Sequence, residues 1–136
     1  MSGTAQPRGV LLFAHGARDP RWAEPFEAVA RRVAVAAPAL LVRLAFLEFM
    51  APSLRVAGDA LAAAGCARVD VVPLFLGAGG HVRRDLPALL AELAAAHPNV
   101  RWQLQRAIGE VESVIDAMAV AAVEGLRADP ARGADA

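Results

Sequence analysis

Four short apolar runs, each followed by a stretch whose apolar residues recur at helical spacing, limit this chain to a small set of folds. The runs are Gly9 to Ala14 (GVLLFA), Leu40 to Leu47 (LLVRLAFL), Arg68 to Leu76 (RVDVVPLFL) and a fourth in which Val100, Trp102 and Leu104 alternate with Arg101, Gln103 and Gln105. The intervals between them are too long for hairpins and suit the helical crossovers that parallel strands require. Unbroken apolar runs fit strands buried on both faces, whereas the alternating fourth fits a sheet edge with one wetter face. Pro73 falls near the carboxyl end of the third run, where a missing ladder donor is tolerated.

The first helix is expected from Pro25 to Ala37, with Phe26, Val29, Ala30, Val33 and Ala37 at helical spacing and Pro38 as its stop. The second follows the break Phe49-Met50-Ala51-Pro52-Ser53, carries Leu54, Ala57 and Leu61 on one face, and is closed by Gly65. A loop, GAGGHVRRD, then leads into a third helix over DLPALLAELAAA, and a last helix carries Val111, Val114, Ile115, Met118 and Ala122. Right-handed crossovers between such βα units favour a single three-layer α/β domain: a flavodoxin-like, four-stranded parallel sheet of order 2-1-3-4 with helices on both faces. The domain is expected over residues 1–127, with 128–136 as a frayed tail.

A chain of 136 residues buries enough surface to fold without disulfides or a structural metal. Its one cysteine, Cys66, is expected to be a small half-buried residue at the turn after Gly65, and a reducing, cytoplasmic setting follows. With 14 basic and 14 acidic residues the formal charge is zero, so no global field draws in nucleic acid or an anionic membrane. The start, MSGTAQPR, lacks an apolar targeting core, and no apolar stretch is long enough to span a bilayer.

In a parallel sheet the carboxyl ends of neighbouring strands lie side by side, and residues distant in sequence meet over one crevice. His15, Glu48 and His81 each fall just past one of the first three apolar runs, at equal steps of 33 residues from 15 to 48 and from 48 to 81. Two imidazoles and a carboxylate suit borderline divalent ions, and three protein ligands leave coordination positions open. Either histidine is also a candidate base at neutral pH. Taken singly, each has a plainer reading: a histidine hydrogen-bonded in a turn, a glutamate solvated at a helix entry. His97, before Pro98, reads as a helix-end residue only.

The segment Gly77-Ala78-Gly79-Gly80 is unlike a mononucleotide loop, because it lacks the lysine and hydroxyl that hold phosphate and magnesium. Its glycines leave the backbone bare, which lets a flat ligand approach closely or simply makes a hinge. Around the same rim stand Phe49, Met50, Phe75 and Leu76 as apolar candidates and Arg18, Arg21, Arg83 and Arg84 as cationic ones. A ligand with an apolar plane and an acidic fringe would use both sets, because guanidinium forks match carboxylates.

HGARDPRW after the first strand, AFLEFMAPSL across the end of the second and VVPLFLGAGGHVRRDLP after the third resemble the small form of the sirohydrochlorin cobaltochelatase family, a branch of the ATP-independent class II tetrapyrrole chelatases. The resemblance covers nearly the whole chain up to the tail, and the third motif is the most specific. It implies a chelatase-like fold and insertion of Co²⁺ into sirohydrochlorin on a route to cobalamin, with relatives that insert Fe²⁺ or Ni²⁺. It implies metal-binding and catalytic roles for His15, Glu48 and His81; from the reading of the rim itself, substrate contacts are expected among Gly77, Gly79, Gly80, Phe49, Leu76, Arg18 and Arg83. The divalent ion is then substrate, and no other cofactor is implied. Where relatives commonly read HGS, Ala17 stands here in the third place and brings no hydroxyl.

On that reading His15 and His81 present the ion and accept the two pyrrole protons, while Glu48 serves as third ligand or proton relay. Longer family members carry two such units, which makes a symmetric homodimer the economical expectation for a short one. Two rival readings remain at the level of sequence. One is a carrier of metal or tetrapyrrole that needs the same ligands but no turnover. The other is a phosphohistidine-type hydrolase, weakened because Ala14 rather than arginine precedes His15. A serine nucleophile elbow, G-x-S-x-G, is absent.

Overall fold

Pairing of the apolar runs produces the expected sheet. In the computed structural model, which describes residues 6–77 and 79–128 with His81 described by its backbone alone, strands β1 (Arg8–Ala14), β2 (Leu40–Phe46), β3 (Arg68–Pro73) and β4 (Arg101–Leu104) lie in the order β2-β1-β3-β4. All three pairings are parallel, and the register aligns Phe13 with Ala45 on one side and Pro73 on the other. Helices α1 (Ala23–Ala36), α2 (Leu54–Ala63), α3 (Gly80–Ala96) and α4 (Glu112–Ala128) alternate with the strands.

Side chains alternate across the sheet, so each strand feeds two layers. One face sends Leu11, Phe13, Ala45, Val69 and Val71 into a core with Leu54, Ala57 and Leu61 of α2 and Leu86 and Leu93 of α3. Gly58 makes this layer tight, since a Cβ there would lie 2.5 Å from Leu93 Cδ2. The other face buries Ala14 and Phe46 against Ala23, with Phe26, Leu44, Met50 and Leu74 packed around them under α1. Helix α4 differs from the other three. It leans on the short 3₁₀ turn Ile108–Glu110, none of its residues is buried, and Ile115, Met118, Val123 and Leu126 stay exposed along it.

Several boundaries differ from the sequence expectation for local reasons. Strand β3 stops at Pro73 rather than Leu76: Leu74 N–H still donates to Phe13 O (2.7 Å), but Phe75 O accepts from Gly109 N–H (2.9 Å) and the chain turns away. Helix α3 starts at Gly80, not Asp85, because extended Gly79 caps it and accepts from Arg83 N–H (3.0 Å). Pro87 therefore lies inside the helix, where it leaves one carbonyl without its usual donor. Helix α1 opens at Ala23, ahead of Pro25, after a 3₁₀ turn over Pro20–Trp22. Cys66 is fully rather than half buried, and burial pushes its thiol up. His97 caps the end of α3, as expected, and its Nε2 also meets Asp59 Oδ1 of α2 at 2.6 Å. Helix α4 runs through Ala128; the rest of the expected tail, like residues 1–5 and Ala78, lies outside the described residues.

One charge is buried in the sheet. Asp70, 4% exposed, accepts from Arg8 Nε (2.9 Å), Arg68 Nη2 (3.1 Å) and Gln105 Nε2 (2.8 Å). Burial alone would raise its pKa, but the hydrogen bonds from Arg68, Arg8 and Gln105 outweigh that effect and hold the carboxyl below the usual carboxylate range. A carboxylate depressed in the folded state stabilises the fold above its unfolded value near about 4, and that contribution is lost as pH falls through the folded value. Asp70→Asn should cost about 1–3 kcal/mol at neutral pH, because donors lose their charged acceptor. In urea titrations across the acid range, wild-type stability should fall on acidification more steeply than that of the variant. Parallel pH curves would contradict this account.

Candidate metal and tetrapyrrole site

The carboxyl ends of β1 and β2 come together because one residue has no side chain. A Cβ on Gly16 would fall on the carbonyl oxygen of Glu48, so the loops leaving the two strands touch backbone to backbone. Leu47 N–H donates to Ala14 O (2.8 Å), and Met50 N–H folds back to Glu48 O (2.8 Å). This tight turn holds Phe49 at φ 65°, a left-handed conformation that costs a non-glycine residue about 1–3 kcal/mol. Phe49 is nonetheless 59% exposed, with the Arg18 guanidinium 5.0 Å from its ring centroid. Strained, exposed and held by a cation, its ring is offered to the surface rather than to the core.

His15 follows β1 directly. Its ring packs on Phe75, with centroids 4.4 Å apart and planes 32° apart, and Phe75 in turn meets Phe13 in the core at 5.9 Å. A second clamp fixes Phe75: Gly109 packs on the backbone of Leu76 so closely that a Cβ would overlap it. Beside His15 opens a cavity of about 410 Å³, lined by His15, Trp22, Phe26, Leu74, Phe75, Leu76 and Gly77. It is a mostly apolar hollow with one imidazole on its wall, the chemical character of small-molecule sites.

The segment from His15 to Trp22 is a closed strap. Asp19 caps the 3₁₀ turn by accepting from Arg21 N–H (2.9 Å), and Arg21 Nη2 grips the same carboxylate at 2.8 Å. The Arg21 side-chain and backbone hydrogen bonds hold the Asp19 carboxyl below the usual carboxylate range. Trp22 closes the strap, its indole N–H donating to His15 O at 2.7 Å.

Other residues expected at the site divide into two groups. His15, Phe75, Leu76 and Gly77 share the cavity, while Arg18 and Phe49, which do not line it, pair with each other across the loops after β1 and β2. Among the described residues nothing lies within 4 Å of where a Cβ would stand on Gly77, Gly79 or Gly80. The bare glycines therefore answer no internal crowding and remain accessible. Arg21 is committed to Asp19, Arg83 lies 3.6 Å from Glu110, and Arg84 Nε bonds back to Gly80 O at 3.4 Å. Met50 belongs to the core under α1.

His81 is the second residue of α3 rather than a loop residue at the end of β3, and its side chain lies outside the described residues. Among the described residues, no three histidine, cysteine or carboxylate side chains gather closely enough to hold an ion. Sequence reasoning missed Trp22, Phe26 and Leu74 as cavity walls and Gly16 and Gly109 as its clamps. Trp22 carried a signal: an indole N–H beside a proline turn needs an acceptor.

Comparison with known proteins finds relatives in sequence and in fold. The chain is 40% identical over 82 residues to the sirohydrochlorin cobaltochelatase of Saccharolobus solfataricus, a match that takes in 60% of this chain and 62% of the relative. A Methanosarcina acetivorans protein of the same name is 31% identical over 83 residues, and 64% of its length is covered. The matched stretch thus spans less than two thirds of these curated relatives. Among solved structures, the CbiX protein of Marinobacter aquaeolei superposes with a TM-score of 0.79 at 34% identity, over 89% of this chain and 98% of that one. The sirohydrochlorin chelatase SirB of Bacillus subtilis subspecies spizizenii, in complex with cobalt, gives 0.72 at 26% identity, over 81% of this chain and 47% of that one. The sequence profile of the CbiX family covers residues 9–124, and the chain belongs to that family.

Proposed function

We propose that this chain is an ATP-independent metal chelatase that inserts Co²⁺ into sirohydrochlorin. One observation carries the reading: in a member of the CbiX family, the His15 imidazole is seated on Phe75 at the wall of an apolar cavity, directly beside the loop that bears Glu48. Metalation exchanges two pyrrole protons for the ion, so the site needs proton acceptors close to metal ligands. His15 and His81 present the metal and take up these protons, and Glu48 acts as third ligand or relay. Phe49, Leu76 and the bare backbone at Gly77, Gly79 and Gly80 receive the macrocycle, while Arg18 and Arg83 face its carboxylates. Cobalt is preferred on the names of the curated relatives. Fe²⁺ or Ni²⁺ on the same substrate is the nearest alternative, because ligand type alone does not separate late first-row ions.

On this reading the working domain extends to the end of α4 at Ala128, one residue beyond the expected boundary. A cytoplasmic setting is supported by the lone buried thiol of Cys66. No helix among the described residues is long and apolar enough to cross a membrane.

The functional unit is a homodimer in which α4 packs on a second copy. Its apolar side, Ile115, Met118, Ala119, Ala122 and Leu126, is not buried by any layer among the described residues. At its root a groove of about 350 Å³, lined by Val72, Gln105, Arg106, Ile108 and Val111, opens beside β3. A two-fold pair satisfies helix and groove reciprocally.

Anaerobic incubation of the protein with sirohydrochlorin and, in turn, Co²⁺, Ni²⁺ and Fe²⁺, followed by absorbance, tests the chemistry. Co²⁺ should convert fastest and above the protein-free rate. His15→Ala and His81→Ala should each slow insertion about 100-fold or more with the fold intact. Wild-type rates in both variants, or no gain over the protein-free reaction, would refute the assignment. Sedimentation should give a dimer for wild type and a monomer for Met118→Asp; a fully active wild-type monomer would refute the pairing.

A further inference from the structure

We propose that Trp22 is the positioning residue for His15 and the stacking wall that receives one edge of the tetrapyrrole. The inference rests on the chelatase reading above and extends it to a residue outside the histidine and carboxylate set. Three features of Trp22 carry it. Its only polar atom is already satisfied, at 2.7 Å, by the carbonyl of His15 itself. That bond closes the strap from His15 to Trp22, whose interior is fixed by Pro20, the Asp19 cap and the Asp19–Arg21 fork. The first residue after β1 is therefore held at both ends, by the sheet and by the indole, while its ring is held from below by Phe75.

The second feature is where the ring stands. Trp22 remains 44% exposed although it lines the same apolar cavity as His15, Phe26 and Phe75. Phe26 backs it at a centroid distance of 5.7 Å. With its N–H turned inward to a backbone acceptor, the indole offers the cavity an apolar aromatic face, which stacks well on a planar conjugated ligand. The third feature is direction. Because the same side chain touches the ligand space and the His15 carbonyl, a ring that docks on Trp22 meets the imidazole in a fixed relation. Loss of the N–H and loss of the ring should therefore have different consequences.

Two substitutions separate them. Trp22→Phe keeps an aromatic wall but removes the donor; it should lower kcat about tenfold with KM nearly unchanged. Trp22→Ala removes both; it should lower kcat similarly and also weaken binding of metal-free sirohydrochlorin about tenfold, read from the tetrapyrrole absorbance in an equilibrium titration. A merely structural role would move KM and kcat together in both variants. Unchanged kcat in Trp22→Phe would overturn the positioning role, and unchanged sirohydrochlorin binding in Trp22→Ala would overturn the stacking role. If Trp22→Ala does not fold, Trp22→Leu in the same titration takes its place. The titration contains no metal, so it also separates this proposal from the chelatase reading. A wild type that binds sirohydrochlorin through Trp22 yet metalates nothing would sink the latter and leave the stacking role standing.

Discussion

The loops at the carboxyl edge of the sheet meet through one backbone contact, Gly16 against the carbonyl of Glu48. Parallel strands bring their carboxyl ends to a common edge, but side chains normally keep the departing loops apart. Without a Cβ at Gly16 the loops after β1 and β2 touch, and the backbone of Glu48 lies against the residue that follows His15. Gly109 does the same for the loop after β3, pressing Leu76 into place so that Phe75 lies beneath His15. Two glycines thus convert a generic sheet edge into a pocket lip.

Most of the sheet was legible in the sequence, for a physical reason. Unbroken apolar runs such as Gly9 to Ala14 can be buried only in a layer covered on both sides, and the intervals between them leave room only for crossovers. The order β2-β1-β3-β4 follows from that pattern and the handedness of the connections. The boundaries were less legible where tertiary contacts decide them. Nothing local to Phe75 and Leu76 says that Gly109, far along the chain, will draw them out of β3. Nor does a run of glycines before His81 announce a helix; the cap at Gly79 does so only once α3 is packed through Leu86 and Leu93.

His15 and Glu48 drew attention in the sequence because, with His81, they follow three successive apolar runs at equal steps; the walls of the cavity carried no such pattern. Trp22 and Phe26 lie on an apparently ordinary helix entry, and their approach to His15 depends on a strap whose closure is a single hydrogen bond to a backbone oxygen. The helical spacing of Ile115, Met118 and Ala122 announced a last helix with an apolar side, but not that Ile115 and Met118 would stay exposed on it. Periodicity reports that a helix has an apolar face; it does not report what covers that face.

The central claim is that a pair of imidazoles and one carboxylate serve a single ion at the lip beside Phe75. Anomalous diffraction at the cobalt edge from crystals soaked with Co²⁺ tests it most directly. The account predicts a peak at bonding distance, about 2.0–2.2 Å, from a ring nitrogen of both His15 and His81, with the Glu48 carboxylate alongside. A cobalt peak elsewhere on the molecule, with these two rings turned to different surfaces, would contradict it.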